Sequence, residues 1–181
     1  MQDGFPRIYK SARSSTGQSV WLRTKRLRVR LAPGANLMEN KFIRAAIAEA
    51  KKALKKEEVP VGAVIVINGR IISRAHNLIE SKNNPTAHAE IIAIRKAGQK
   101  LKNWRLNGAV LYVTLEPCPL CKNAIIQSRI SKVVFGCRTE GKIDAGRVKY
   151  EGPVMQQECS AIIKKFFKKA RKFAREKRAK S

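Results

Sequence analysis

Apolar residues recur every three to four positions early in the chain. Met38, Phe42, Ala45 or Ala46, Ala50 and Leu54 share one face, which predicts a helix over Met38–Lys56. Lys51, Lys52, Lys55 and Lys56 crowd its end, where cations suit the helix dipole and where solvation alone also accounts for them. Val59-Pro60 breaks the period, and Val61–Ile67 follows as a nearly continuous apolar strand. Asn68-Gly69 is a type I′ turn signal, so Ile71–His76 is predicted to return antiparallel. Leu78–Asn84 is polar and reads as loop. After Asn84-Pro85 a helix is expected from about Thr86, running past Ile91, Ile92 and Ile94 to Gly98. Ala109–Thr114 and Lys132–Gly136 read as strands, with a helix over Pro119–Ser128 between them whose Ile125 and Ile126 face inward. Cys137–Gly152 is loop-like, Pro153–Met155 a short strand, and Gln156 to about Arg175 a long basic helix. A hairpin followed by alternating helices and strands predicts an α/β fold, a mixed sheet with helices on both faces.

Chemistry concentrates at two of the predicted helix starts. Thr114-Leu-Glu-Pro-Cys-Pro-Leu-Cys121 places Pro119 at a first helical position, with Cys118 as cap and Cys121 one turn in. The positive end of that helix favours thiolates, the form of cysteine that binds metal. Upstream, His88-Ala89-Glu90 would sit in the first turn of the other helix. One imidazole, two thiols and one acid are the inventory of a zinc site with an open fourth position. A Cys-x-x-Cys pair alone also fits half of a zinc ribbon, a redox pair or two buried thiols. A ribbon needs a second pair, and Cys137 and Cys159 stand far apart; nothing thioredoxin-like surrounds Cys118. A purely structural zinc would need a fourth ligand such as Cys137, Cys159 or His76. His-x-Glu followed 30 residues on by Pro-Cys-x-x-Cys is rarer than either half, and it is the signature of zinc nucleobase deaminases.

Charge changes the picture of the partner. The 181 residues carry a net charge of +26, which points to a polyanion. Residues 1–37 hold eight Arg or Lys against Asp3, and residues 161–181 hold ten against Glu176. The chain therefore divides into a basic N-terminal extension (1–37), a central domain (38–173) and a basic tail (174–181). The extension is Ser- and Arg-rich without periodicity, and no structure is assigned to it. It reads as a transit-like presequence, an RNA-clinging arm, or sequence upstream of a start at Met38. Four cysteines, two of them assigned to metal, fit a reducing compartment. No run of about 18 apolar residues is present, so no membrane partner is expected. The last helix sets Ile162, Ile163, Phe166, Phe167 and Phe173 among seven cations; its apolar residues are expected to dock on the sheet and its basic face to meet water, phosphate or a membrane surface.

Several stretches together resemble the bacterial tRNA-specific adenosine deaminase family. They are Glu58-Val-Pro-Val-Gly-Ala-Val64, His76-Asn77, Asn84-Pro-Thr-Ala-His-Ala-Glu-Ile91, Asn103-Trp-Arg-Leu106, Leu111-Tyr-Val-Thr-Leu-Glu-Pro-Cys118 and Ser128-Arg-Ile-Ser-Lys-Val-Val-Phe-Gly136. The resemblance runs from about Met38 to Ala170. It implies a three-layer α/β/α cytidine-deaminase-like fold, a homodimer, and a hydrolase that converts adenosine to inosine at the wobble position of a tRNA anticodon stem-loop. It also implies one Zn2+ per subunit held by His88, Cys118 and Cys121, with Glu90 shuttling protons and Asn77 contacting the purine; Asn77 capping a strand end is the alternative. His76 is left structural. Trp104 either stacks a base or packs in the core beside Leu106. The loop after Cys137-Arg138 is shorter than the family's, and Thr139 stands where an acid is common, so contacts there differ. The location implied is cytoplasmic, or organellar if residues 1–37 are a targeting segment. A free guanine or (deoxy)cytidine deaminase, and a non-catalytic RNA-binding subunit with structural zinc, are the competing readings. The charge argues against the first, and Glu90 against the second.

Overall fold

The computed structural model describes residues 21–23, 28–30, 33–138 and 148–178. Two compact units divide between Asn36 and Leu37. In the first, β1 (Trp21–Arg23) and β2 (Arg28–Arg30) pair antiparallel, Trp21 opposite Arg30, where no structure was expected. The helix α1 spans Pro33–Lys55, opening five residues before Met38. The loop after Arg138, with Thr139, falls largely outside the described residues.

The second unit is built on a five-stranded mixed sheet. In chain order its strands are β3 (Gly62–Ile67), β4 (Arg70–His76), β5 (Val110–Leu115), β6 (Lys132–Cys137) and β7 (Lys149–Glu151). Spatially the order is β4-β3-β5-β6-β7, antiparallel from β4 to β5 and parallel from β5 to β7. The Asn68-Gly69 turn forms as expected, both residues at positive φ (49° and 71°). The edge strand is Lys149–Glu151 rather than Pro153–Met155. Pro153 has no N–H to give a ladder, and the short apolar run that marked this stretch instead enters α5 (Gln156–Arg178).

Strand alternation sorts the core into two layers. Ala63, Ile65, Leu111, Val113, Val133 and Phe135 face one side, where α3 (Ala89–Leu101) and α4 (Pro119–Gln127) supply Ile92, Ala93, Ala97 and Ile125. Val64, Val66, Tyr112 and Val134 face the other, against Phe42, Ile43 and Ile47 of α1 and Cys159 of α5. The result is the α/β/α sandwich expected, with a one-turn helix α2 (Ile79–Lys82) inside the stretch read as loop.

Gly62 fixes how closely α1 approaches the sheet. A Cβ on Gly62 would lie 2.0 Å from the Ala46 carbonyl oxygen and 2.5 Å from the Ala50 nitrogen, both backbone atoms that cannot swing away. Gly62→Ala is therefore expected to destabilise the fold by at least the roughly 1–3 kcal/mol typical of overpacking, read as a lowered denaturation midpoint in urea at unchanged slope. An unshifted midpoint would show that α1 can move outward freely.

The helix α5 has 23 residues, about 35 Å of length, against about 20 Å for the six-residue strand β6. Its first turns dock through Cys159, Ile162 and Ile163. From Phe167 to Arg178 every residue is exposed, Phe173 at 70%. The expectation that Phe167 and Phe173 dock on the sheet thus fails, because the helix outruns the sheet.

Candidate metal centre

The site lies where β5 ends and two helices begin. Beyond Leu115 the chain passes Glu116-Pro117 into α4; the Glu116 N–H donates to the Cys137 carbonyl (2.9 Å), holding this exit against β6. Cys118 is the N-cap of α4, extended at φ −71° and ψ 168°, and Pro119 opens the helix as expected. His88 holds the equivalent place on α3, at φ −68° and ψ 150°. The helix begins at Ala89 rather than near Thr86, so His88 is a cap and not a first-turn residue. The Pro85-Thr86 step is taken up by a turn instead, where Asn84 Oδ1 accepts from the Thr86 N–H (2.9 Å) and hydroxyl (2.7 Å).

Cap positions usually carry Ser, Thr, Asp or Asn, whose side chains satisfy the first backbone N–H groups. Neither His88 nor Cys118 makes such a bond. For α3 the duty passes to Asn77, at the end of β4, whose Oδ1 accepts from the Ala89 N–H at 2.9 Å. Asn77 is 4% exposed and is itself held by its N–H to the Val61 carbonyl (3.1 Å).

The freed side chains converge. One ligand atom each from His88, Cys118 and Cys121 lies within 4.8 Å of the others. His88 Nδ1 stands 3.8 Å from Cys118 Sγ, against about 3.6 Å for the N–S edge of a tetrahedron with Zn–S about 2.3 Å and Zn–N about 2.0–2.1 Å. One borderline nitrogen and two soft sulfurs within that span fit zinc. Among the described residues no fourth His, Cys, Asp or Glu joins the group. Cys137 and Cys159 are instead buried in the opposite core layer. His76 pairs with Glu49 of α1 at 3.1 Å, so it is structural as expected.

Glu90, the second residue of α3, is 4% exposed. Burial raises its carboxyl to about 7, opposed by its own N–H and by the Cys121 thiol. Burial, with the charges of Glu90 and Cys118 adding, likewise pushes the Cys121 thiol up; a bound cation reverses that order and draws the thiolate out. Tyr150 was hidden from sequence reasoning. It sits on β7, its hydroxyl buried, and burial raises its phenol to about 12 with Cys121, Glu116 and Glu90 adding. No periodicity or motif marks it, since it stands amid glycine and charge.

Trp104 is not packed in the core beside Leu106. It is 54% exposed, with the Arg105 guanidinium 4.1 Å above its ring. An open depression of about 690 Å³ beside it is lined by Ile94, Gly98, Ala124 and Gln127 among others, and holds none of the metal-centre residues. The ligands themselves, not the volume, locate the chemistry.

Residues 38–137 match the family model described as the cytidine and deoxycytidylate deaminase zinc-binding region, which spans all three converging residues and Glu90. The tRNA-specific adenosine deaminase of Bacillus subtilis (strain 168) is 44% identical over 144 residues, 72% of this chain and 89% of the relative. That of Aquifex aeolicus (strain VF5) is also 44% identical, over 72% of this chain and 94% of its own. A solved structure from a study of A-to-I editing by tRNA:A34 deaminases superposes with TM-score 0.64 at 36% identity, covering 67% of this chain and 98% of that one. A guanine deaminase of Bacillus subtilis superposes less well, TM-score 0.53 at 36% identity over 60% of this chain and 70% of its own. Membership, the three-layer fold and the spacing of the converging residues agree: this chain belongs to the cytidine and deoxycytidylate deaminase superfamily, and within it to the tRNA-specific adenosine deaminases.

Proposed function

We propose that the chain hydrolyses the wobble adenosine of a tRNA anticodon stem-loop to inosine, with Glu90 as the proton carrier and His88, Cys118 and Cys121 holding one zinc ion. The observation that carries this reading is a buried acid two residues from the first of three converging metal-ligand side chains. Zinc in such a site lowers the pKa of its water from about 16 towards about 7. Glu90 takes a proton from the attacking water, then delivers protons to the adenine ring nitrogen and to the departing amine. Carbon 6 gains the oxygen and loses ammonia, so adenosine and water become inosine and ammonia. A single carboxylate serves both steps because it alternates between base and acid roles. Asn77 Oδ1 accepts from the Ala89 N–H, which orients the amide and leaves its nitrogen as a donor to offer the flipped purine. Purified protein incubated with an anticodon stem-loop, free adenosine, guanine and cytidine tests the reading. Inosine in the stem-loop is expected, and product from free guanine or cytidine alone overturns it.

The RNA is held by charge in this reading. Nine cations on the exposed run of α5 and its approach, from Lys164 to Arg178, face Glu176 as their one acid. The exposed pair Lys169–Glu57 (3.2 Å) ties little of that charge down. Stem-loop affinity is expected to fall with salt at a log–log slope of about −0.7 per neutralised phosphate of single strand, and Lys168→Ala with Lys172→Ala should flatten it by one to two such steps. A slope unchanged by the double substitution assigns the phosphates elsewhere. A homodimer is part of the same reading, checked by sedimentation. No helix among the described residues is long and apolar enough to cross a membrane.

A further inference from the structure

Ten residues separate Asn77 from His88, and the two must arrive together for a purine to meet the metal centre. Leu78 and Ala87 anchor the ends of the segment in the core, and little side-chain burial holds its middle. Its one regular element, α2, is a single turn whose cap residue Leu78 offers no side-chain hydrogen bond. Positions 80–86 are all exposed, so no apolar burial anchors them. The first N–H groups of such a turn need acceptors from elsewhere.

They find Glu58. This side chain leaves the loop after α1, and the residue is only 1% exposed. Oε1 accepts from the Ser81 N–H and the Ser81 hydroxyl, both at 2.7 Å, and Oε2 from the Glu80 N–H at 3.2 Å. Burial alone would raise this carboxyl, but the Ser81 hydroxyl and the backbone N–H groups of Ser81, Glu80 and Ile79 outweigh it and hold it below its ordinary value. The Glu58 N–H in turn donates to the Ala53 carbonyl (3.1 Å), so the acid is fastened to the end of α1. At the far end of the segment the Leu78 N–H reaches the Ala87 carbonyl (3.0 Å), closing it into a loop one residue from His88.

We infer that Glu58 is a positioning residue for the deamination: as the borrowed cap of α2, it sets the 78–87 loop so that Asn77 and His88 stand correctly for the purine. The inference rests on the proposed activity, and the assignment of Glu58 in it is to substrate binding rather than to proton transfer or metal ligation. Loss of hydrogen bonds to a buried charged group changes an equilibrium by about tenfold or more.

Zinc-loaded wild type, Glu58→Gln, Glu58→Ala and Ser81→Ala are compared in steady-state inosine formation on the anticodon stem-loop, with zinc content and hydrogen exchange of peptide 78–88 measured on each. Glu58→Gln is expected to raise KM about tenfold with kcat within about threefold of wild type. One zinc per chain should remain, and the Glu80 and Ser81 amides should exchange about tenfold faster. Ser81→Ala, which removes one bond of three, should raise KM about two- to threefold in the same direction. Unchanged KM and exchange in Glu58→Gln overturn the inference, as does a fall in kcat that follows zinc loss at constant KM. If the Glu58 variants do not fold, Ser81→Ala decides: unaltered KM and exchange overturn it. Wild-type protein that makes no inosine overturns the proposed activity instead, and the exchange measurement then still reports whether Glu58 holds the loop.

Discussion

Glu90→Ala is expected to keep a full zinc complement and an unchanged melting temperature within a few degrees, while inosine formation falls by at least about 10²–10⁴-fold. The first part follows from position. Glu90 adds no ligand atom to the His88, Cys118 and Cys121 group. It forms no ion pair with a Lys, Arg or His among the described residues, so its removal leaves no cation without its partner. The second part follows from chemistry: one group carries every proton in the proposed reaction, so no neighbour can take over. Metal content by atomic emission and single-turnover assays on the stem-loop measure the two parts separately. A zinc-replete Glu90→Ala protein that deaminates at the wild-type rate removes the assigned role. A variant that loses zinc instead would make Glu90 a structural member of the centre.

Cys118→Ala is expected to lower zinc affinity by more than the roughly 10–100-fold seen when an outer hydrogen-bond partner of a ligand is lost, and to abolish turnover with it. Treating wild type with a chelator should do the same reversibly, activity returning with added Zn2+. The two experiments check different statements. Chelation tests whether metal is needed, and Cys118→Ala tests whether this sulfur holds it. Stability should fall too, because ion binding that favours the folded state adds to folding free energy. Full activity after zinc is stripped would favour the guanine- or RNA-binding alternatives no better, but would end the hydrolytic mechanism as written.

Much of this was legible in the sequence, for local reasons. The β3–β4 hairpin was readable because Asn68-Gly69 states its turn chemistry in two residues. The site was readable because its members lie in two short motifs at helix starts, where spacing alone puts side chains side by side. The expected start of α3 lies three residues too early because Asn84-Pro85 resembles a helix entry; the Asn84–Thr86 turn takes up that step, and Asn77 caps the helix at Ala89. Trp104 was unreadable for a similar reason: whether an aromatic points in or out beside Leu106 depends on how α3 ends, here at the left-handed cap Lys102, which no pattern in the sequence states. Glu58 sits inside a recognisable stretch, yet its use depends on Ser81, 23 residues away, which no pattern in either segment foretells.

The backbone contact at Gly62 has a mechanical result. At that crossing backbone meets backbone, while further along β3 the side chains of Val64 and Val66 separate strand and helix. The end of α1 holds Glu58 through its N–H to the Ala53 carbonyl, and Glu58 holds Glu80 and Ser81, so the helix and the 78–87 loop are joined by hydrogen bonds. If Glu58 positions the 78–87 loop as inferred, substitutions that reseat α1 are expected to change KM for the stem-loop at unchanged zinc content.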